Sequence, residues 1–131
     1  MRLDQTSPVL VAAAATLVFV FPALCENLSA QQIKDLIGGR RIFLDTPFGI
    51  ELPLHYRQDG SVSGDVTGFS AARMIAPRET GKWWIEGESL CQVWPTWYKG
   101  KQFCFTIETR GENTIFWRRD DGTTGTARIG G

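Results

Sequence analysis

The sequence predicts an all-β fold: a small antiparallel meander of about eight short strands, closed into a barrel or a strongly curled sheet, with one short N-terminal helix. Three observations predict it. On either side of Gly68–Thr80, from Arg41 to Thr67 and from Lys82 to Ile129, apolar side chains return at alternate positions, the period that sends successive residues to opposite faces of a strand. Turn formers interrupt that pattern at regular intervals, at Pro47-Phe48-Gly49, Asp59-Gly60, Arg110-Gly111-Glu112-Asn113 and Asp120-Asp121-Gly122. The stretch Gly81–Thr109 gathers four of the five tryptophans and two of the three cysteines. Closure is the cheapest way for so small a sheet to lose its edges; a two-sheet sandwich is the alternative.

Residues 1–30 stand apart. Val9–Phe21 is an apolar run broken only by Thr16, too short to span a bilayer comfortably but suited to a secretory signal. Cleavage after Ala30 fits the small residues of Leu28-Ser29-Ala30, and cleavage after Cys25 is an alternative. A lipid anchor on Cys25 is a third reading, disfavoured by Leu24 before it, and an uncleaved membrane anchor is a fourth. The expectation is a signal peptide over 1–30, a single β-rich domain over 31–131, and a periplasmic or secreted location. Loss of Cys25 leaves an even pair of cysteines, which in an exported chain reads as one bridge. A domain of about 100 residues has a modest core, so a covalent staple matters.

Gln31–Ile37 reads as the helix. Ile33, Leu36 and Ile37 share a stripe, Ser29 and Gln32 form a capping box, and Gly38-Gly39 ends it. Strands are then expected at Arg41–Thr46, Ile50–Arg57, Ser61–Thr67, Lys82–Glu86, Leu90–Trp94, Gln102–Thr109, Thr114–Arg119 and Thr124–Ile129. Pro53 argues for an edge position or a bulge, and Gly64 for a bulge. Gly68–Thr80 shows no clean period and is expected as a loop with a helical turn at Ser70–Met74. If Cys91 lies opposite Cys104, then Leu90 faces Phe105 and Gln92 faces Phe103, which keeps the aromatic face consistent. The disulfide is therefore expected between Cys91 and Cys104. Pro95–Gly100 forms the tip of that hairpin.

Leu36-Ile37-Gly38-Gly39-Arg40, Leu54–Gly64, Gly81-Lys82-Trp83-Trp84, Leu90–Trp94 and Cys104 together resemble a family of small exported bacterial proteins of unknown function. That resemblance implies export, a disulfide and a β-rich fold, and implies no chemistry. The glycine-x-tryptophan also resembles lipocalin-like barrels, where it sits on the first strand rather than mid-chain.

The residues themselves offer little catalytic equipment. Formal charge is zero, so no global field argues for nucleic acid. His55, the one histidine, has no local nucleophile, and a single histidine beside two paired cysteines does not make a metal site. Asp120-Asp121-Gly122 lacks the spaced ligands of a calcium loop, and Glu86 and Glu88 flank a turn glycine. No cofactor, metal or stable membrane span after cleavage is expected. Trp83, Phe103, Phe105 and Trp117 are expected in the core. Trp84, Trp94, Trp97 and Tyr98, with Lys99 and Lys101, are expected to form an exposed binding surface. The leading expectation is a non-enzymatic domain recognising a protein or cell-envelope component through this aromatic loop. The alternative is a small-molecule carrier, separated from the first by whether Trp83, Phe105 and Trp117 fill the interior or line a cavity.

Overall fold

The computed structural model describes residues 26–47, 49–66 and 78–130. Residues 1–25 of the expected signal peptide and the helical turn expected at Ser70–Met74 lie outside them. Helix α1 (Ala30–Ile37) precedes eight strands: β1 (Arg40–Asp45), β2 (Glu51–Tyr56), β3 (Ser61–Asp65), β4 (Arg78–Glu86), β5 (Ser89–Val93), β6 (Phe103–Thr109), β7 (Thr114–Arg119) and β8 (Thr124–Ile129). Each strand pairs antiparallel with the next, and β8 returns to β1 through Ile42–Ile129, Phe43–Arg128 and Leu44–Ala127. The sheet is a closed barrel with no free edge.

Strand alternation sets the interior. Ile42, Leu54, Tyr56, Val62, Trp83, Leu90, Ile107, Ile115, Ala127 and Ile129 are buried, as period-two patterning requires. Helix α1 closes one end against β1, β4 and β5. Its cap is the reciprocal one that the sequence suggests: the Ser29 hydroxyl accepts from Gln32 N–H, and Gln32 Oε1 accepts from Ser29 N–H at 2.9 Å. Ile33 and Ile37 point down into the barrel and are wholly buried. Beneath them the Trp83 indole donates to Arg57 O at 2.7 Å and meets Tyr56 edge-on. Leu28, just before the helix, packs on the core and donates its N–H to Ile107 O at 2.7 Å, beyond the reach of β5.

Three local expectations change. β4 begins at Arg78 rather than Lys82, because Arg78–Gly81 pair with Val62–Asp65 although their sequence lacks apolar alternation. Pro53 is inside β2 opposite Phe43, but β2 pairs with β3 only from Leu54 onward, so its missing N–H faces no ladder on that side. Gly64 is not a bulge. It pairs regularly with Leu54 and Glu79, and a side chain there would place its first carbon 2.5 Å from the Trp97 ring. Glycine is required by that close approach. Gly64→Ala is accordingly expected to destabilise by about 1–3 kcal/mol through overpacking, measured as a lower denaturation midpoint at unchanged slope.

The bridge forms as expected. Cys91 and Cys104 lie directly opposite and are disulfide-bonded, with Leu90 facing Phe105 and Gln92 facing Phe103. Those three positions are the whole of the β5–β6 ladder, so the covalent link fastens one of the shortest seams of the barrel.

Candidate functional site

The end of the barrel opposite α1 carries the turn between β1 and β2, the β5–β6 connection and the Asp120–Gly122 turn. The β5–β6 connection departs most from the expected surface. Trp94 and Trp97 are 2% and 5% exposed, so the expectation that they are surface residues is corrected. Trp94 continues the inward face of Leu90 and Gln92, and its ring lies 4.6 Å from that of Trp97, which covers Gly64. Glu79 does the folding-in. Its carboxylate, almost buried at the base of β4, accepts the backbone N–H groups of Thr96 and Trp97 at 3.1 and 3.0 Å and the Thr96 hydroxyl. These bonds satisfy a buried acid and fix the direction of the turn together.

What remains outside is Tyr98–Gly100, the rest of the short turn that begins at the buried Trp97. Tyr98 and Lys99 adopt φ of 56° and 59°, and Gly100 follows at 69°, three successive residues in the left-handed region. Non-glycine side chains are strained there by roughly 1–2 kcal/mol each, a conformation held by its surroundings rather than by local preference. Lys99→Gly is therefore expected to stabilise the protein by about 1 kcal/mol, read from chemical unfolding. Tyr98 is 42% exposed, the one large apolar side chain so exposed among the described residues. Its ring meets Phe103 edge-on at 5.5 Å, and the Arg119 guanidinium lies 4.3 Å above Phe103 and 5.7 Å from Tyr98.

Arg119 shares the inward parity of Ile115 and Trp117, a signal present in the sequence but not used there. It is held by Asp121, with Nη2 at 2.7 Å and Nε at 2.9 Å, and Nη2 also donates to Thr123 Oγ1. The hydrogen bond from Arg119 holds the Asp121 carboxyl well below its usual range. Its stabilising effect is present at neutral pH and is lost only as pH falls through that lowered value. Burial pushes the Tyr98 phenol up, opposed by Arg119.

Between this end and the helix the interior is not completely filled. An apolar cavity of about 60 Å³ reaches from Ile37 under the helix to Tyr98 and Arg119. Phe105 and Trp117 line it and stack edge-on at 5.5 Å, whereas Trp83 is taken up under the helix. Two polar side chains cross it, and the Tyr56 hydroxyl donates to Gln92 Oε1 at 2.6 Å. Burial holds the Tyr56 phenol far above its usual range, so it remains a neutral donor. Trp94 Nε1 and Trp117 Nε1 are buried without a hydrogen-bond partner among the described residues.

The other expected site residues are dispersed. Trp84 is half-buried on the outer wall, across from Cys91, and Lys99 and Lys101 are exposed. The structure brings Tyr98, Lys99 and Lys101 together in one connection and leaves Trp84 on the wall. His55 faces outward between Arg41 and Ser63, bordering a polar concavity of about 520 Å³. Among the described residues its imidazole forms no hydrogen bond; its backbone belongs to the β1–β2 and β2–β3 ladders. Glu86 Oε2 approaches the two sulfurs at 3.6 and 3.9 Å, but bonded to each other they are not thiolate ligands. No protein-family model matches the chain, and no curated protein or solved structure matches it significantly.

Proposed function

We propose that this is an exported, non-enzymatic barrel that binds a small molecule in its interior, admitted at the Tyr98–Arg119 end. The observation that carries the reading is the apolar cavity lined by Phe105 and Trp117 and reaching both of those residues. Barrels of this strand number have room either for filled side chains or for one small ligand. At about 60 Å³ the space is far below the ~300–1,000 Å³ of pockets for drug-sized molecules, so the occupant is small or enters by one end only. The leader pattern, the disulfide and the resemblance to exported proteins support export.

Within that reading, a cut after Ala30 removes Leu28 and Ser29, and with them the helix cap and the bond to Ile107; a cut after Cys25 keeps both. We place the mature terminus at the earlier position.

Native mass spectrometry of the protein taken gently from its own cell envelope tests both points. A small co-purifying mass supports binding, and the intact mass reports the cut. Ala127→Val supplies the control. Ala127 is 1% exposed and lines the cavity, so two added methyl groups fill space already present. Stability is expected to change by less than about 1.5 kcal/mol, while the co-purifying mass disappears. Retention of that mass by a folded Ala127→Val protein would place the ligand elsewhere.

A second reading, recognition of a protein or envelope component by the turn, is favoured by one specific observation: a strained left-handed segment displays Tyr98 beside Lys99 and Lys101. A photocrosslinking residue at Tyr98 tests it, and a bare monomer after irradiation in the intact envelope removes it.

A further inference from the structure

The outer wall of β1–β4 carries a charge pattern that neither the interior cavity nor the Tyr98 turn uses. Register places Arg41, His55, Ser63 and Thr80 opposite one another across four strands. Neighbouring strands lie about 4.8 Å apart, so this outward row runs for about 14 Å. Arg57, two residues beyond His55, shares that face, as does Arg78, two residues before Thr80. All six border the concavity of about 520 Å³. We propose that this concavity binds a soluble phosphate ester, its phosphoryl group held by Arg41, His55 and Arg57. The proposal stands apart from the interior and from whatever binds there.

The hollow has its cause in the strand ladders. β2 and β3 pair no further than Leu54–Gly64, whereas β1–β2 continues to Asp45–Glu51 and β3–β4 to Asp65–Arg78. The two longer ladders part at that point, and Pro53, Leu54, Gly64 and Asp65 line the opening. His55, Arg57 and Ser63 are half-buried there, while Arg41 and Thr80 are exposed.

Two of the cations are unspent. The acids in the lining are already engaged: Asp65 accepts from Arg78 Nε at 3.0 Å, and Glu79 accepts the Thr96 and Trp97 N–H groups. Neither Arg41 nor Arg57 forms a salt bridge among the described residues. Two hydrogen bonds from Ser61 hold the Asp59 carboxyl below its usual range, and Arg57 adds to this from beyond ion-pair distance. Arg41 and Arg57 hold diagonal cross-strand positions, about 7–8 Å apart, where like charges repel. An anion between them turns that repulsion into attraction.

The donors suit a phosphoryl group. Each guanidinium presents a planar fork, the imidazole donates at least one N–H in either protonation state, and Ser63 adds a hydroxyl. A phosphoryl group offers three oxygens to this set and a carboxylate only two. The volume exceeds what bare phosphate needs and falls in the ~300–1,000 Å³ range of small-molecule sites, leaving room for a polar group of sugar size. No large apolar side chain is exposed in the lining. A surface that docks on lipid places such side chains beside its cations, so the ester is a soluble one.

The experiment follows the imidazole proton resonances of the full mature protein, carrying no histidine tag, at fixed pH and ionic strength. His55 is the one histidine, so its signals need no further assignment. Ribose 5-phosphate is expected to shift them and to saturate in roughly the millimolar range, with inorganic phosphate acting in the same direction and more weakly. Ribose and acetate are expected to leave them in place. Arg41→Gln and Arg57→Gln are each expected to weaken the response about tenfold or more, the scale of losing a hydrogen bond to a charged group. Lys34→Gln, an exposed cation on α1, is expected to change nothing. Signals unmoved by ribose 5-phosphate would overturn the proposal, as would an equal response to acetate or to ribose. Equal weakening by Lys34→Gln would reduce the effect to net charge and overturn it too. Co-sedimentation with phosphatidylglycerol vesicles in place of a response to ribose 5-phosphate would overturn the soluble ligand.

Discussion

Trp97→Ala is expected to lower the unfolding free energy by about 3–5 kcal/mol, the scale of truncating a buried large aromatic. A residue in the tip of a hairpin, where aromatics are usually exposed, ordinarily tolerates that change. The structure reverses the expectation. Trp97 is 5% exposed, stacks 4.6 Å from Trp94, and covers Gly64 so closely that no side chain fits there. Its N–H is also tied to Glu79. Removing the indole opens a void between β3 and β5 and loosens the ring whose edge rests on β4. Tyr98→Ala, one residue on and 42% exposed, is expected to cost less than about 1 kcal/mol. Denaturant titration of the two variants side by side decides the matter. Equal, small losses would mean that Trp97 is not part of the core.

The second large effect is at the bridge. Cys91→Ser and Cys104→Ser are each expected to destabilise by about 3 kcal/mol on the loop-entropy estimate for a ring of this length. The double variant is expected to add little beyond either, because both single changes remove the same bond. Reduction of the unaltered protein with a dithiol is expected to reach the same level. The site magnifies the consequence: Leu90–Phe105, Cys91–Cys104 and Gln92–Phe103 are the only paired positions joining β5 to β6. A seam with so few backbone pairs has little else to hold it when the bond is gone. Additive losses from the two single changes would show that the thiols act separately.

Much of this fold was legible before any coordinates. Alternation from Ile42 onward assigned faces, because a strand has a fixed two-residue period and each residue's side is decided by its neighbours in sequence. The Asp59-Gly60 and Asp120-Asp121-Gly122 turns were legible for the same local reason. The cysteine pair was legible because one register satisfies both the bond and the aromatic face. The beginning of β4 was not, since Arg78-Glu79-Thr80 carries no apolar period and becomes a strand only by pairing with β3.

The candidate site was less legible. Glu79 sat in a stretch read as loop, and nothing local marks it as the residue that pulls Thr96 and Trp97 inward across 17 and 18 positions. Arg119 was within reach of parity reasoning from Ile115 and Trp117, and the pairing of Tyr56 with Gln92 was not, being 36 residues apart. The expected cluster of aromatics and lysines survives only as Tyr98, Lys99 and Lys101.

By itself, then, the sequence determined an all-β chain of eight strands, its strand faces, and the Cys91–Cys104 bridge, because periodicity and turn chemistry act between near neighbours and a single register suits the bridge. Closure of the barrel, the burial of Trp94 and Trp97, and the apolar space left beside Phe105 and Trp117 were decided only in three dimensions. Each depends on how the side chains of eight strands and one helix together fill a common volume, and no single stretch of chain carries that sum.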